Sequence, residues 1–226
     1  MQSHRYADVF GNDSKRGALS LVYAALTPAQ YLDNQGQVIT HPFDKPGTGT
    51  RFSISTAISE CEIRAAKYLS ESIAVNTRTS AVLASDVVTH HRRDFSYVSF
   101  GLPSNYKSME LLNDTANEFV QLAQDRFVSR RSGKTLIAAS TRIDYGLLIK
   151  IIPAHLPERV WICCGGFGEW GTSGSAWYLA RNWGLLRKKF RNRPFAVIVS
   201  VEPGRDESAI PVVAAANATE IESYVR

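Results

Sequence analysis

The sequence predicts a single α/β domain over residues 1–226. Three observations predict it. The runs Arg159 to Cys164 and Phe195 to Val201 are short and apolar, and the second is β-branched, as expected of strands buried on both faces. Between them lies Ser175 to Phe190, with Ala176, Leu179, Ala180, Trp183, Leu186 and Phe190 at helical spacing, so that strand, helix and strand form a βαβ unit. The length of 226 residues, 44% hydrophobic and 21% charged, suits one large globular domain.

From the N-terminus, Tyr6 to Phe10 reads as a short strand. Gly11 to Ser14 turns the chain and caps a helix over Lys15 to Leu26, with Leu19, Val22, Tyr23 and Leu26 on one face. Pro28 to Thr50 is irregular, with turn signals at Asn34–Gly36 and Pro46–Gly49; Phe52 to Ser55 is extended. Thr56 to Ser72 is a helix with a stripe of Ile58, Cys61, Ala65, Tyr68 and Leu69. Ser59 and Glu62 fit a capping box or, equally, lie one turn inside the helix, and Glu60 can pair with Arg64. Ser80 to Thr89 and Phe95 to Phe100 are strands, followed by a helix from Asn105 to Gln124. Arg126 to Ser129 and Leu136 to Ala139 flank a turn at Gly133 and form a hairpin; Tyr145 to Ile152 is a strand ended by Pro153. The whole reads as a Rossmann-like three-layer sandwich with a mostly parallel mixed sheet, the hairpin supplying its antiparallel pair.

The net charge is +5 with neutral histidines, and the pI is about 9.2. That favours solubility and mildly favours anionic partners, but is less concentrated than in a dedicated nucleic-acid binder. Arg181, Arg187, Lys188, Lys189, Arg191 and Arg193 fall in one acid-free stretch, which reads as a solvated helix end or as a surface for an anionic or protein partner. No run of about 18 apolar residues exists, so no membrane partner is expected. Cys61, Cys163 and Cys164 make no disulfide framework or zinc spacing; buried free thiols and a missing leader favour a cytoplasmic setting. No metal or cofactor is implied.

The most informative stretch runs from Gly165 to Gly174, with five glycines in ten residues between a buried strand and an amphipathic helix. At a helix N-terminus free N–H groups favour a phosphate, and in open α/β sheets this edge is where ligands lie. Thr172 and Ser173 add hydroxyls, Glu169 suits a ribose hydroxyl or an amino group, and Trp170 suits a stacked base. The competing readings are a tight turn whose glycines serve packing, and an oxyanion-type pocket. Ser104 and Asn105, and Asn12, stand at two further polar strand-to-helix junctions, expected along the same edge. Ser132-Gly133-Lys134-Thr135 is not a P-loop, because Val128 stands where the earlier glycine is needed.

Gly165-Gly166, Gly168 and Gly171-Thr172 resemble the phosphate loop of the SLOG (LOG/DprA-related) proteins, and the Asn12 and Asn105 junctions resemble SLOG and TIR-like nucleotide-sensing domains of bacterial signalling and defence. The resemblance implies binding of a phosphorylated, nucleotide-derived ligand by Asn12, Ser104, Asn105, Gly166, Gly168, Glu169, Trp170, Gly171, Thr172, Ser173 and Gly174. It implies output through self-association or a separate effector protein. Ser173, Gly174 and Ser175 stand where LOG hydrolases carry a glutamate.

An alternative is hydrolysis of an N-glycosidic bond. In TIR-like and deoxyribosyltransferase-like enzymes a helix glutamate does this, and Glu60 and Glu62 are the candidates, with a capping or surface carboxylate as the plainer reading. Asp86 and Asp94 are candidates to hold a ribose hydroxyl or a water, and His90 and His91 read as a solvated basic turn. Ser104 or Ser173 as a nucleophile needs a base and an acid that only the fold can place. A third reading is nucleic-acid binding through residues 181–193.

Overall fold

Alternation along the strands sends side chains to the two faces of the main sheet. The structure, a computed structural model, describes residues 2–27, 30–32, 38–40, 43–44, 51–52 and 56–225. The first helices are α1 (Gln2–Phe10) and α2 (Asp13–Arg16), and strand β1 (Ser20–Tyr23) follows. Two short antiparallel pairs come next: β2 (Gln30–Leu32) with β3 (Val38–Thr40), and β4 (Phe43–Asp44) with β5 (Arg51–Phe52). Then come α3 (Glu60–Thr77), β6 (Val82–Ser85), α4 (Asp86–Thr89), β7 (Tyr97–Phe100) and α5 (Tyr106–Asn113). The chain continues through β8 (Val120–Ala123), β9 (Arg126–Ser129), β10 (Thr135–Ala138), β11 (Asp144–Ile151) and β12 (Trp161–Gly166). It closes with α6 (Glu169–Phe190), β13 (Phe195–Glu202), β14 (Arg205–Ala215) and α7 (Ala218–Glu222).

The main sheet has seven strands in the order β14-β13-β11-β12-β7-β1-β6. The four strands β12, β7, β1 and β6 run parallel, whereas β11 is antiparallel to both its neighbours and β14 is antiparallel to β13. The class is therefore mixed α/β, but half of the strand pairings are antiparallel, and the hairpin is not their source. The β9–β10 pair does form, yet it belongs to a separate three-stranded sheet, β10-β9-β8. The antiparallel element in the main sheet is β11, joined to β12 by residues 152–160. That link is shorter than a parallel crossover needs. Helix α6 then steps over β11 to reach β13.

Strand residues alternate between two apolar clusters. Leu21, Val98, Ile162, Cys164 and Val197 pack with Tyr6, Phe10, Leu69, Leu179 and Phe190 from α1, α3 and α6. Val22, Tyr97, Trp161, Cys163 and Ile198 pack with Leu111, Phe127 and Ile221 from α5, β9 and α7. Cys163 and Cys164 thus point to opposite faces, and all three cysteines are buried free thiols.

Several elements differ from expectation. Residues 6–10 are helical, because Tyr6, Val9 and Phe10 recur at helical spacing and are all fully buried. The helix expected over 15–26 stops at Gly17, which takes φ +69° as a left-handed cap; Leu19, Leu21 and Tyr23 then alternate with Ser20 and Val22 in β1. Ser80 to Thr89 divides into β6 and α4, with the Ser85 hydroxyl capping α4. The helix expected to reach Gln124 ends at Asn113. Beyond it the buried Asn117 donates to the Leu112 and Val120 carbonyls and accepts from Phe119 N, which turns the chain into β8. The expected turns at Asn34–Gly36 and Pro46–Gly49 lie outside the described residues.

Candidate functional site

The glycine stretch is not an open loop. Gly165 and Gly166 end β12, Gly168 precedes α6, and residues 169–174 form its first turns. Two of the amides expected to hold phosphate are already engaged. Asp144, at the start of β11, accepts from Gly168 N–H at 3.1 Å and from Gly171 N–H at 2.7 Å. The chain's own carboxylate therefore occupies the anion position at this helix N-terminus.

The glycines instead let α6 lie against the sheet. A Cβ on Gly146 would fall 2.1 Å from the Gly171 carbonyl oxygen, and one on Gly171 would fall 2.3 Å from that of Tyr145. A Cβ on Gly166 would meet the Gly171 backbone at 2.5 Å, and one on Gly174 would strike Val201 at 2.7 Å. The hydroxyls turn inward too. Thr172 bonds to the Gly168 carbonyl at 3.2 Å, and Ser173 donates to the Glu169 carbonyl at 3.1 Å and to buried Asp206. The Arg64 guanidinium sits 4.4 Å over the Trp170 ring and binds Asp206, so Trp170 anchors α6 to α3. Glu169 is exposed and, with Gly168 and Trp170, lines a cleft of about 460 Å³ beside Asp144 and Phe167. Asp144→Ala is expected to cost about 1–2 kcal/mol, the usual loss of a helix cap. Added phosphate should then raise the melting temperature of the variant more than that of the wild type, because the freed amides take the anion; thermal melts with and without phosphate check this.

A different junction has the features of a ligand site. Along the chain, β1 is followed by β6 on one side in the sheet and then by β7 on the other, so strand order reverses between β1 and β7. At such a reversal the connections leave on opposite faces and open a crevice at the carboxyl ends of the strands. Here α3 packs on one face and α5 on the other.

Asn105 spans this point. Its amide donates to the Val22 carbonyl at 3.0 Å and the Phe100 carbonyl at 2.9 Å, while its oxygen caps α5 through Lys107 N–H at 2.9 Å. Fully buried, it holds the ends of β1 and β7 together. Asp86, 1% exposed, accepts from Ala25 N–H at 2.9 Å and Tyr106 N–H at 3.1 Å, tying the exit of β1 to the start of α5. Glu62 reaches in from α3. Ser59 stands at the N-cap position but makes no side-chain cap bond. Glu62, three residues on, does not close the expected capping box; it turns inward and accepts from Ala24 N–H through Oε2 at 2.7 Å. Its Oε1 accepts no hydrogen bond from any described residue. Burial pushes the Glu62 carboxyl up to about 7, the Ala24 bond opposes that rise, and the Asp86 carboxylate adds to it.

Gly101 follows β7 with φ +78°. Both Glu62 Oε1 and Ser104 Oγ lie 2.9 Å from the position its Cβ would take, so the missing side chain is what lets these groups face the crevice. Glu62 also lines a cavity of about 230 Å³ on the β6 side of β1, with Tyr23, Ile58, Ile63, Ala66, Lys67 and Leu83. No protein family model, no curated protein and no solved structure matches this chain. The chemistry of the crevice has to carry the functional argument.

The structure brings together Glu62, Asp86, Ser104 and Asn105, and separates the other candidates. Glu60 is exposed and paired with Arg64 at 2.8 Å. Asn12 lies between two helices at the amino ends of the strands, where its neighbour Asp13 accepts from Ser96 N–H ahead of β7. The expected alignment of three junctions on one edge therefore fails at Asn12. Asp94 pairs with Arg159 at 2.7 Å, and His90 and His91 lie in an exposed turn. Asp144 was missed because nothing local marks a strand's first residue as the cap of a helix far along the chain. Gly146 carried a usable signal, since a glycine inside a strand marks close backbone approach. Among the described residues no helix is long and apolar enough to cross a membrane, and no group of His, Cys, Asp and Glu side chains is placed to hold a metal.

Proposed function

We propose that this chain binds a nucleotide-derived ligand in the crevice between the carboxyl ends of β1 and β7, within a Rossmann-like three-layer arrangement. The observation that carries the reading is Glu62: a carboxylate 3% exposed, whose Oε1 accepts no hydrogen bond from any described residue, beside Gly101 and Ser104 at the reversal of strand order. Glu62 and Ser104 suit ribose hydroxyls, because a buried acceptor and a hydroxyl both gain by pairing with them. Apolar Tyr23, Ile58 and Ile63 suit the flat face of a base, and Lys67 at the cavity's edge suits a phosphate. Phosphate recognition here does not use the glycine amides, which Asp144 fills. The signal passes on through self-association or a separate effector protein.

Calorimetry with NAD, ADP-ribose, cyclic nucleotides and mononucleotides tests this. At least one should bind below millimolar, and Ser104→Ala and Glu62→Gln should each weaken it about tenfold, which corresponds to one lost hydrogen bond of about 1.4 kcal/mol. Absence of binding across the whole panel would overturn the reading.

A second reading is hydrolysis of the N-glycosidic bond of such a ligand, favoured by a carboxyl poised near neutrality whose Oε1 accepts no hydrogen bond from any described residue. The Glu62 carboxylate stabilises or captures the ribosyl centre as the base departs with the bonding electrons, and water supplies the hydroxyl at that carbon and the proton for the base. Turnover followed by chromatography separates the two readings. Glu62→Gln should abolish product formation while Glu60→Gln leaves it intact; turnover surviving in Glu62→Gln would eliminate this mechanism.

A further inference from the structure

At the amino ends of the parallel strands, away from the crevice, the C-terminal end of α6 and helix α1 enclose a cleft of about 530 Å³. Its lining is Asp8, Arg187, Lys188, Arg191 and Asn192. The geometry points to this cleft as a site for a phosphate-rich anion.

The charge on its walls is unbalanced. Asp8 is the one carboxylate in the lining, and Arg187 already engages it at 2.7 Å. Lys188 and Arg191 are exposed and form no ion pair or hydrogen bond through their side chains among the described residues. The C-terminal dipole of α6 contributes about half a negative charge, which two unengaged cations exceed. Behind them Lys150, 1% exposed, donates to the Asp8 carbonyl at 2.6 Å and to the Asn192 carbonyl at 3.1 Å. This buried side chain ties two of the lining residues, Asp8 and Asn192, together.

The backbone singles out the same place. Arg191 takes φ 57° and ψ −128°, a conformation that glycine adopts freely and residues with side chains rarely do. A glycine there would relieve strain, yet the chain carries an exposed arginine in the lining of the cleft. A guanidinium presents paired donors to phosphate oxygens, and Lys188 beside it adds a point charge. Free polyphosphate groups of a nucleotide and the backbone of a nucleic acid share this chemistry, and the two are separable by experiment.

The test uses the full chain, with inorganic tripolyphosphate and a short DNA duplex as probes in titrations at several salt concentrations. Lys188→Glu/Arg191→Glu is compared with Lys134→Glu/Arg142→Glu, which changes net charge equally at a distant surface; circular dichroism confirms that both fold. The expected result is binding of at least one probe, weakened tenfold or more by the cleft pair and less than twofold by the control pair. Tripolyphosphate binding identifies a small-anion site. Duplex binding without tripolyphosphate binding, with affinity falling as salt rises, identifies a nucleic-acid backbone site. Equal weakening by both pairs, or no binding of either probe to the wild type at millimolar concentration, would overturn the proposal. Neither result bears on Glu62, because the crevice variants leave this cleft untouched.

Discussion

Gly146→Ala and Gly171→Ala are each expected to lower folding stability by about 3 kcal/mol, the upper part of the range for overpacking a tight core. A Cβ on either glycine would fall 2.1 to 2.3 Å from a backbone carbonyl oxygen. No side-chain rotamer change removes such an overlap; α6 itself has to move off β11. Moving it opens contacts across the cluster that holds Ala176, Leu179 and Phe190. Urea unfolding reads the loss directly, and for a domain of this size it corresponds to roughly 6–12 °C in melting temperature. Gly184→Ala is the internal comparison. It lies in the same helix with nothing within 4 Å of its Cβ position, so it should stabilise by about 0.5–1 kcal/mol through helix propensity. Equal effects at positions 146, 171 and 184 would show that α6 does not depend on close approach.

The stability of the wild type is expected to carry a pH-dependent component from Glu62 that opposes the usual behaviour of carboxylates. The carboxyl is raised from 4.5 to about 7 by burial. Below pH about 4.5 it is protonated in both folded and unfolded chains and imposes no penalty. Between 4.5 and 7 the unfolded chain ionises while the folded chain keeps its proton, so stability falls as pH rises. Above 7 the loss levels off at about 3–4 kcal/mol, since one pKa unit is worth about 1.4 kcal/mol. Glu62→Gln removes the titration and keeps an acceptor for Ala24 N–H. The difference in unfolding free energy between wild type and variant should therefore change by that amount from pH 4 to pH 8, with the variant gaining relative to the wild type as pH rises. A pH-independent difference would mean that Glu62 is ionised as readily in the folded chain as in the unfolded one.

How much of this was legible depends on how local the cause is. The strand at Phe195–Glu202, the buried thiols, the Glu60–Arg64 pair and the amphipathic helix ending at Phe190 follow from side-chain spacing within a few residues. Asn105 was recognisable as a helix cap, but its bonds to Val22 and Phe100 join strands that are distant in the sequence. The first 26 residues were misread because apolar residues in a run this short satisfy both periods; Gly17 and the burial of Tyr6, Val9 and Phe10 choose between them.

Residue spacing alone determined that the chain is α/β and that a long helix joins two buried strands. Tertiary structure decided what the glycines are for and where a ligand can sit. The reason is that an amide's availability depends on which distant group reaches it. Asp144 arrives from β11 to fill the N-terminus of α6, whereas Glu62 leaves its own helix end to line the crevice beside β1. Both are carboxylates near a helix start, and only the packing of the sheet gives them opposite roles.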